Sequence, residues 1–520
     1  MSVTVPNLKD VANDAARAAD NEKNMSLWQS LKLYPKAVGW SVFLSTAIIM
    51  EGFDIVLIAN LLALPAFKSA FGDVTLANGS KEVSAPWQSG LTNGANVGEV
   101  LGLMLSGIIA DRIGYRKTLI GALILATSFI FIVFFTKSLT QLLIGLIFMG
   151  IPCWVIGQFL ASGVLKGVAN RTDQWGYRIP YALQWIWPVP LIIGIYLAPE
   201  SPWWLVRKER NEEAKVQLLR LTSRKNTDFN ADDTIAMMVH TNELEKAATT
   251  GISYKDCFKK TDLRRTEICS VVWIVQAYCG ASFMGFSTYF YEQAGLDTSN
   301  AFTLSLCQYA IGAIGTIISW FLMIKFGRRT LYVVGQAIMF CLLLIIGFCG
   351  LASKDNQAAQ WAIGSMLLVF TFVYDSTVGP VCYSLVAELS STRLRQKTVV
   401  LARNFYNIGT IIANILTPRM LNPSAWDWGA KSAFFWAGTC FLGFVWTYFR
   451  LPEPKGRTYG ELDILFEKKV PARKFASTKV DPFLLSHVPS GGDKQNKMAV
   501  SQLEKMATHE EENGEFLPKD

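Results

Sequence analysis

Between Val42 and Cys440 the chain returns repeatedly to apolar runs of about 20 residues or longer that are almost free of charge. As helix, 20 residues rise about 30 Å, the thickness of a bilayer's hydrocarbon core. This feature sets the fold class: an all-α polytopic membrane protein. Charge is correspondingly scarce, 17% of residues against roughly 25% in soluble domains. It crowds into the N-terminal stretch, the segment 200–267 and the C-terminal tail. A soluble enzyme, a nucleic-acid binder and a secreted disulfide scaffold are excluded. The net charge of +8 reads as basic cytoplasmic loops.

Cys269, Cys279, Cys307, Cys341, Cys349, Cys382 and Cys440 are scattered through apolar runs with no C-x-x-C pair, and behave as small hydrophobes. His240, His487 and His509 lie in polar segments outside any H-E-x-x-H pattern, so neither a metal nor a cofactor is expected.

Candidate spans cover 41–67, 87–110, 118–136, 139–165, 180–197, 268–291, 302–324, 331–351, 361–385, 399–421 and 432–449, eleven in all. The connections 111–117, 325–329 and 393–397 are short and basic, as are both flanks of 200–267. The positive-inside rule puts these in the cytoplasm, and both termini with them. The start is polar, so no cleaved leader is expected. The division that follows is a cytoplasmic tail 1–37, a helix bundle 38–199, a cytoplasmic loop 200–267, a second bundle 268–451 and a cytoplasmic tail 452–520. That last tail is polar after Arg457 and reads as disordered regulatory sequence.

The two bundles repeat each other. Gly114-Tyr-Arg-Lys117 returns as Gly327-Arg-Arg329, and Pro199-Glu-Ser-Pro202 returns as Pro452-Glu-Pro454. Two equivalent halves joined by a charged linker are a transporter layout, with the substrate between them near mid-membrane. The halves differ in length: 85 residues separate Gly114 from Pro199, against 125 between Gly327 and Pro452. The shortfall amounts to about one helix and a loop. Parity agrees, since two cytoplasmic landmarks need an even number of crossings between them and 118–197 supplies three candidates. Either a crossing is absent, or Gly150-Ile-Pro152 splits 139–165 into two half-helices. The absent crossing is the reading carried forward.

With these motifs collected, the chain resembles the sugar porter family of the major facilitator superfamily, most closely its fungal α-glucoside (maltose-type) permeases. The resemblance runs from about Lys36 to Lys468. It rests on Glu51-Gly-Phe-Asp54, on Gly107 with Asp111-Arg-x-Gly-x-Arg-Lys117, and on Pro199-Glu-Ser-Pro-Trp-Trp-Leu-Val-Arg207. Gly379-Pro-Val-Cys-Tyr-Ser-Leu-Val-Ala-Glu388 with Arg393 and Arg395, and Pro452-Glu-Pro-Lys-Gly-Arg-Thr458, complete it. The resemblance implies two pseudo-repeated helix bundles, with about eleven spanning helices here instead of twelve. It also implies where the shortfall lies: family members continue after Gly-Ile-Pro with the rest of helix four and the start of helix five. Here Pro152 runs straight into Cys153-Trp-Val-Ile-Gly-Gln158, which looks like later helix five. Roughly 30–40 residues are missing. In helix seven the family's sugar motif is reduced to Gln276, Gly280 and Ser282.

Charged residues inside helices cost several kcal/mol unless they face a cavity or a partner. Glu51 and Asp54, three apart on one helix face, and Glu99 in helix two are the candidate proton carriers; Arg403 is their cationic partner and Asp375 a further carboxyl. Gln276, Tyr383, Asn404, Asn407 and Gln184 have the amide and aromatic chemistry of sugar sites. Asp111, Arg112 and Arg116, with Glu388, Arg393 and Arg395, are candidate cytoplasmic gating residues. Trp203-Trp204 reads as an interface anchor, and Asn78 and Asn170 begin glycosylation sequons. The expected partners are a small-molecule sugar, a proton and the lipid bilayer, with no nucleic acid and no second subunit. The leading function is a proton-coupled α-glucoside symporter of the plasma membrane. A non-transporting sugar receptor and an inactive product of a shortened gene are the alternatives.

Overall fold

Backbone that leaves water must pair with itself, and the apolar runs do so as helices. The computed structural model describes residues 32–478 apart from 77–78, 150–154, 169–170, 172, 223–229, 250–252, 353–355, 392–393 and 458. The first bundle holds α1 (Pro35–Leu61), short α2 (Pro65–Phe71), α3 (Ala85–Ile113), α4 (Tyr115–Phe134), α5 (Leu139–Met149), α6 (Val155–Val168), α7 (Trp175–Leu183) and α8 (Pro188–Leu197). A two-stranded antiparallel hairpin, β1 (Val74–Thr75) and β2 (Lys81–Glu82), lies between α2 and α3, with Val74 opposite Glu82. The central segment forms α9 (Pro202–Arg207), α10 (Asn211–Leu221) and α11 (Ala231–Thr249).

In the second bundle, helix seven is built from α12 (Lys260–Gln276), α13 (Ser282–Gly285) and α14 (Ser287–Gln293). It is followed by α15 (Thr298–Lys325), α16 (Arg328–Cys349), α17 (Gln357–Ser376), α18 (Val378–Leu389), α19 (Arg395–Leu421) and α20 (Ala433–Arg450). A last helix, α21 (Tyr459–Glu467), follows the bundle.

Local sequence explains the ends. Proline opens α1, α2 and α9, where its missing N–H is no loss. The Asp297 carboxylate caps α15 by accepting from the Ser299 N–H, and Asn356 caps α17 by accepting from Ala358 and Ala359. Among the described residues, eight helical stretches are long and apolar enough to cross a membrane. The protein is a multi-pass membrane protein.

Three expected spans come out differently. The segment 139–165 is not one tilted crossing but two helices, α5 of 11 residues and α6 of 14. At 1.5 Å per residue they rise about 16 and about 21 Å, each short of a bilayer. Both outer ends lie on one face. Tyr115, the start of α4, sits against Glu200, so α4 delivers Leu139 to the opposite side. Beyond α6, Gly176 packs on Ala66 at that same side. The pair therefore begins and ends on the same side of the bundle. The junction 150–154, with Gly150, Pro152 and Cys153, lies outside the described residues.

Helix seven is not straight either. Residues Ala277–Ala281 form a π-segment with Gly280 at φ 98°, where a Cβ would lie 3.1 Å from the Leu343 methyls and 3.2 Å from Phe370. Helix ten breaks at Thr377, because Pro380 in the following turn has no N–H to bond the carbonyl four residues back.

Two further expectations are corrected. Trp204 is not an interface anchor: it is buried in a small core with Leu205, Val206, Ala214, Leu218, Ala231, Ile235 and Met238, against which Trp203 packs. The tail is ordered for some distance after Arg457. Phe466 and Phe475 are buried, the Arg265 guanidinium lies 4.4 Å over the Phe466 ring, and Arg265 pairs with Asp463. Composition missed this because the anchoring groups are two aromatics and an arginine pair, not an apolar run.

Candidate functional site

Where the bundles meet, α3 of the first lies along α19 of the second, and α6 along α15. The α3–α19 contact contains an ion pair between the halves. Arg403 donates to Glu99 Oε1 from Nε at 3.0 Å and from Nη2 at 2.7 Å, and each side chain is 12% exposed. The guanidinium lies 4.8 Å over the Trp273 ring and 4.8 Å over the Tyr406 ring. Trp273 also meets Tyr383, ring centroids 5.1 Å apart. Arginine is suited to this seat: its flat, weakly hydrated cation stacks on rings while its fork holds the carboxylate.

Helix spacing places the amides one turn further out. Gln276 follows Trp273 by three residues on α12, and Asn407 follows Arg403 by four on α19, so each shares its predecessor's face. Gln276 and Asn407 are buried, and among the described residues all four of their amide atoms lack a hydrogen-bond partner, as does Asn404 Oδ1. Buried amides left unpaired cost about 1–3 kcal/mol each, a cost removed when hydroxyl groups enter. Tyr383 is 42% exposed and offers a ring face. Four expected sugar residues thus collect on α12, α18 and α19. Gln184 is buried in the 3₁₀ turn joining α7 and α8, in the other half. The side chains of Glu51 and Asp54 lie outside what is described, although both fall within α1.

On the outer side the halves are tied. Lys68 after α1 donates to Glu292 of α14 at 2.9 Å and sits 3.3 Å from Glu82 of β2. Gln88 donates to the Tyr289 hydroxyl at 3.2 Å, Asn93 to the Ile411 carbonyl at 3.2 Å, and Asn422 to the Val83 carbonyl at 2.9 Å. At this end the two halves are closed against each other. Sequence reading missed this cluster because Lys68, Glu82 and Glu292 stand in unremarkable loop ends far apart in the chain.

Two of the gating candidates, Arg116 and Glu388, bond to partners in their own halves. Arg116 donates its backbone N–H to Glu200 at 3.3 Å and its side chain to the Ala198 carbonyl at 3.2 Å. Glu388 accepts from Arg328 Nε at 3.1 Å. Arg112 is exposed, Arg395 is half-buried at the start of α19, and the Asp111 side chain, Arg393, Asn78 and Asn170 lie outside the described residues. Arg328, Glu200 and Glu453 were missed as braces although all three stand in the repeated motifs.

The sequence model of the family described as sugar (and other) transporter matches residues 40–153 and 152–466. The chain belongs to this family. The two matches meet at Pro152-Cys153, where the shortfall was expected. The maltose permease MAL61 of Saccharomyces cerevisiae is 41% identical over 515 residues, spanning 92% of this chain and 84% of that one. A general alpha-glucoside permease of the same yeast is 41% identical over 514 residues, with 92% and 83% covered. Among solved structures, the inward-open xylose transporter XylE from E. coli superposes with a TM-score of 0.65 at 18% identity, covering 82% of this chain and 98% of that one. The fold is thus that of the major facilitator transporters.

Proposed function

We propose that this family member carries an α-glucoside such as maltose inward together with a proton, by alternating access, as a plasma-membrane monomer with both termini in the cytoplasm. The observation that carries the reading is the Glu99–Arg403 pair, which joins the two halves directly beneath unpartnered amides. A carboxylate held by a cation across a moving interface can exchange that cation for a proton as the halves separate, which links sugar movement to proton movement. The yeast relatives are named as maltose and alpha-glucoside permeases, which supports the substrate class. Asp54 and Glu51 on α1 are proposed to pass the proton, and 38–199 and 268–451 to rock about the site.

Labelled maltose uptake into proteoliposomes under an imposed proton gradient tests this. Accumulation that collapses with a protonophore, and that Asp54→Asn abolishes while sparing downhill exchange, is the expected result. Accumulation that persists in Asp54→Asn removes that residue from coupling. The short α5 and α6 favour a second reading, a shortened transporter that binds sugar without coupled uptake. The inner halves of helices four and five, which would wall the central cavity, are not supplied. Maltose binding with no accumulation selects it.

A further inference from the structure

Helix ten carries a carboxyl that the symport reading leaves unused. Asp375 lies near the middle of the helical stretch Gln357–Leu389 and is 8% exposed. It stands two residues before Thr377, whose φ of −129° and ψ of −84° break the helix into α17 and α18. Opposite it, α15 is hollowed by two glycines. A Cβ at Gly312 would collide with Asp375 Oδ2, and one at Gly315 would lie 3.3 Å from Asp375 Cβ and 3.1 Å from the Phe372 carbonyl. The carboxyl fits only because both positions lack side chains.

The titratable groups facing it are phenols, Tyr309 from α15 and Tyr374 beside it on α17. From α16 the hinge meets Gly335, which packs on Thr377, and α13 brings no ionisable side chain. Among the described residues no lysine, arginine or histidine lies within ion-pair distance of the carboxyl. An ionised carboxylate held there without a cation costs several kcal/mol, far more than a neutral acid.

We propose that Asp375 is a proton-binding site of the C-terminal half, separate from the Glu99–Arg403 pair. Its carboxyl holds the proton while α15 packs over the hinge. It releases the proton to water when α17 and α18 swing apart and solvent reaches the carboxylate. The site extends the symport reading and adds a second proton carrier to it.

The test is infrared difference spectroscopy of the full chain in lipid nanodiscs, which needs no transport. At neutral pH a protonated-carboxyl C=O band is expected, lost by one carboxyl per chain in Asp375→Asn, kept in Glu99→Gln, and disappearing reversibly as pH rises. If Asp375→Asn does not fold, Gly312→Ala, whose methyl presses on Oδ2, must shift the band. A spectrum unchanged by the variant that folds overturns the proposal. So does a band that persists to the most alkaline pH at which the protein stays folded, since that marks a fixed structural acid. A chain that shows the titrating band yet fails to accumulate maltose keeps the site and loses the symport reading.

Discussion

The two halves solve the same problem at their inner ends with unequal completeness. In each, a glycine turn sits on a glutamate that follows the last helix of its bundle. Gly114 lies against Glu200, which accepts from the Arg116 N–H, and Gly327 lies against Glu453, which accepts from the Arg328 and Arg329 N–H groups. The C-terminal half adds a second tie, Arg328 to Glu388 at 3.1 Å. In the N-terminal half Tyr115 stands where Arg328 does, and its hydroxyl accepts from Arg207 at 3.4 Å instead of meeting a carboxylate. The repeat thus preserves the turn but not the brace across to helix four.

The largest effect expected is from completing the weaker half. Inserting about 30–40 residues between Gly150 and Trp154, so that α5 and α6 each reach a full crossing, should raise maltose accumulation well above that of the chain as it stands. Uptake under a proton gradient reads it, and equal uptake by the chain as it stands would show that the asymmetry has no functional cost.

Next is the pair that joins the halves. Arg403→Ala leaves Glu99 buried and uncompensated, a loss of about 3–5 kcal/mol, whereas Arg403→Ala with Glu99→Gln should recover much of it. Thermal unfolding of the purified variants measures both. An additive double variant would mean that the two residues do not act on each other.

Exchanging residues at the turns sharpens the comparison directly. Arg328→Tyr should cost about 1–3 kcal/mol, because Glu388 loses its donor. The reciprocal Tyr115→Arg should stay within about 0.5 kcal/mol, since the N-terminal half offers no matching carboxylate. Similar losses at both turns would erase the distinction.

The smallest effect concerns the outer tie. Burial raises the Glu82 carboxyl above its ordinary 4.5, against the pull of Lys68. Burial works against the Lys68 ammonium, yet Glu292 and Glu82 raise it, so the cation persists. A carboxyl raised in the closed state binds its proton more tightly there than in the open state. Its contribution to closure is therefore complete below about pH 4.5 and fades as pH rises through the raised value. Spin labels at Ser69 and Gln293 should report closer ends in mild acid than at neutral pH, and Glu82→Gln should remove the dependence. A tie that loosens on acidification would reverse the assignment.

The sequence by itself determined what depends on composition and local period. Apolar runs of bilayer length demanded helices, basic turns oriented them, and the repeated Gly114 and Gly327 motifs with the unequal spacing between landmarks located the shortfall near Pro152. Arg403 was legible as a cationic partner for the helix carboxylates, but which of Glu51, Asp54 and Glu99 it meets was not, because 304 residues separate it from Glu99 and no periodicity spans that distance. Tertiary structure alone decided that pairing, the Lys68–Glu82–Glu292 tie, and the seat of Asp375 against two glycines. It also decided between a lost crossing and a returning pair of half-helices. Parity allowed either, and over 139–165 the fold forms two short helices, α5 and α6, because Pro152 has no N–H with which to carry one helix through.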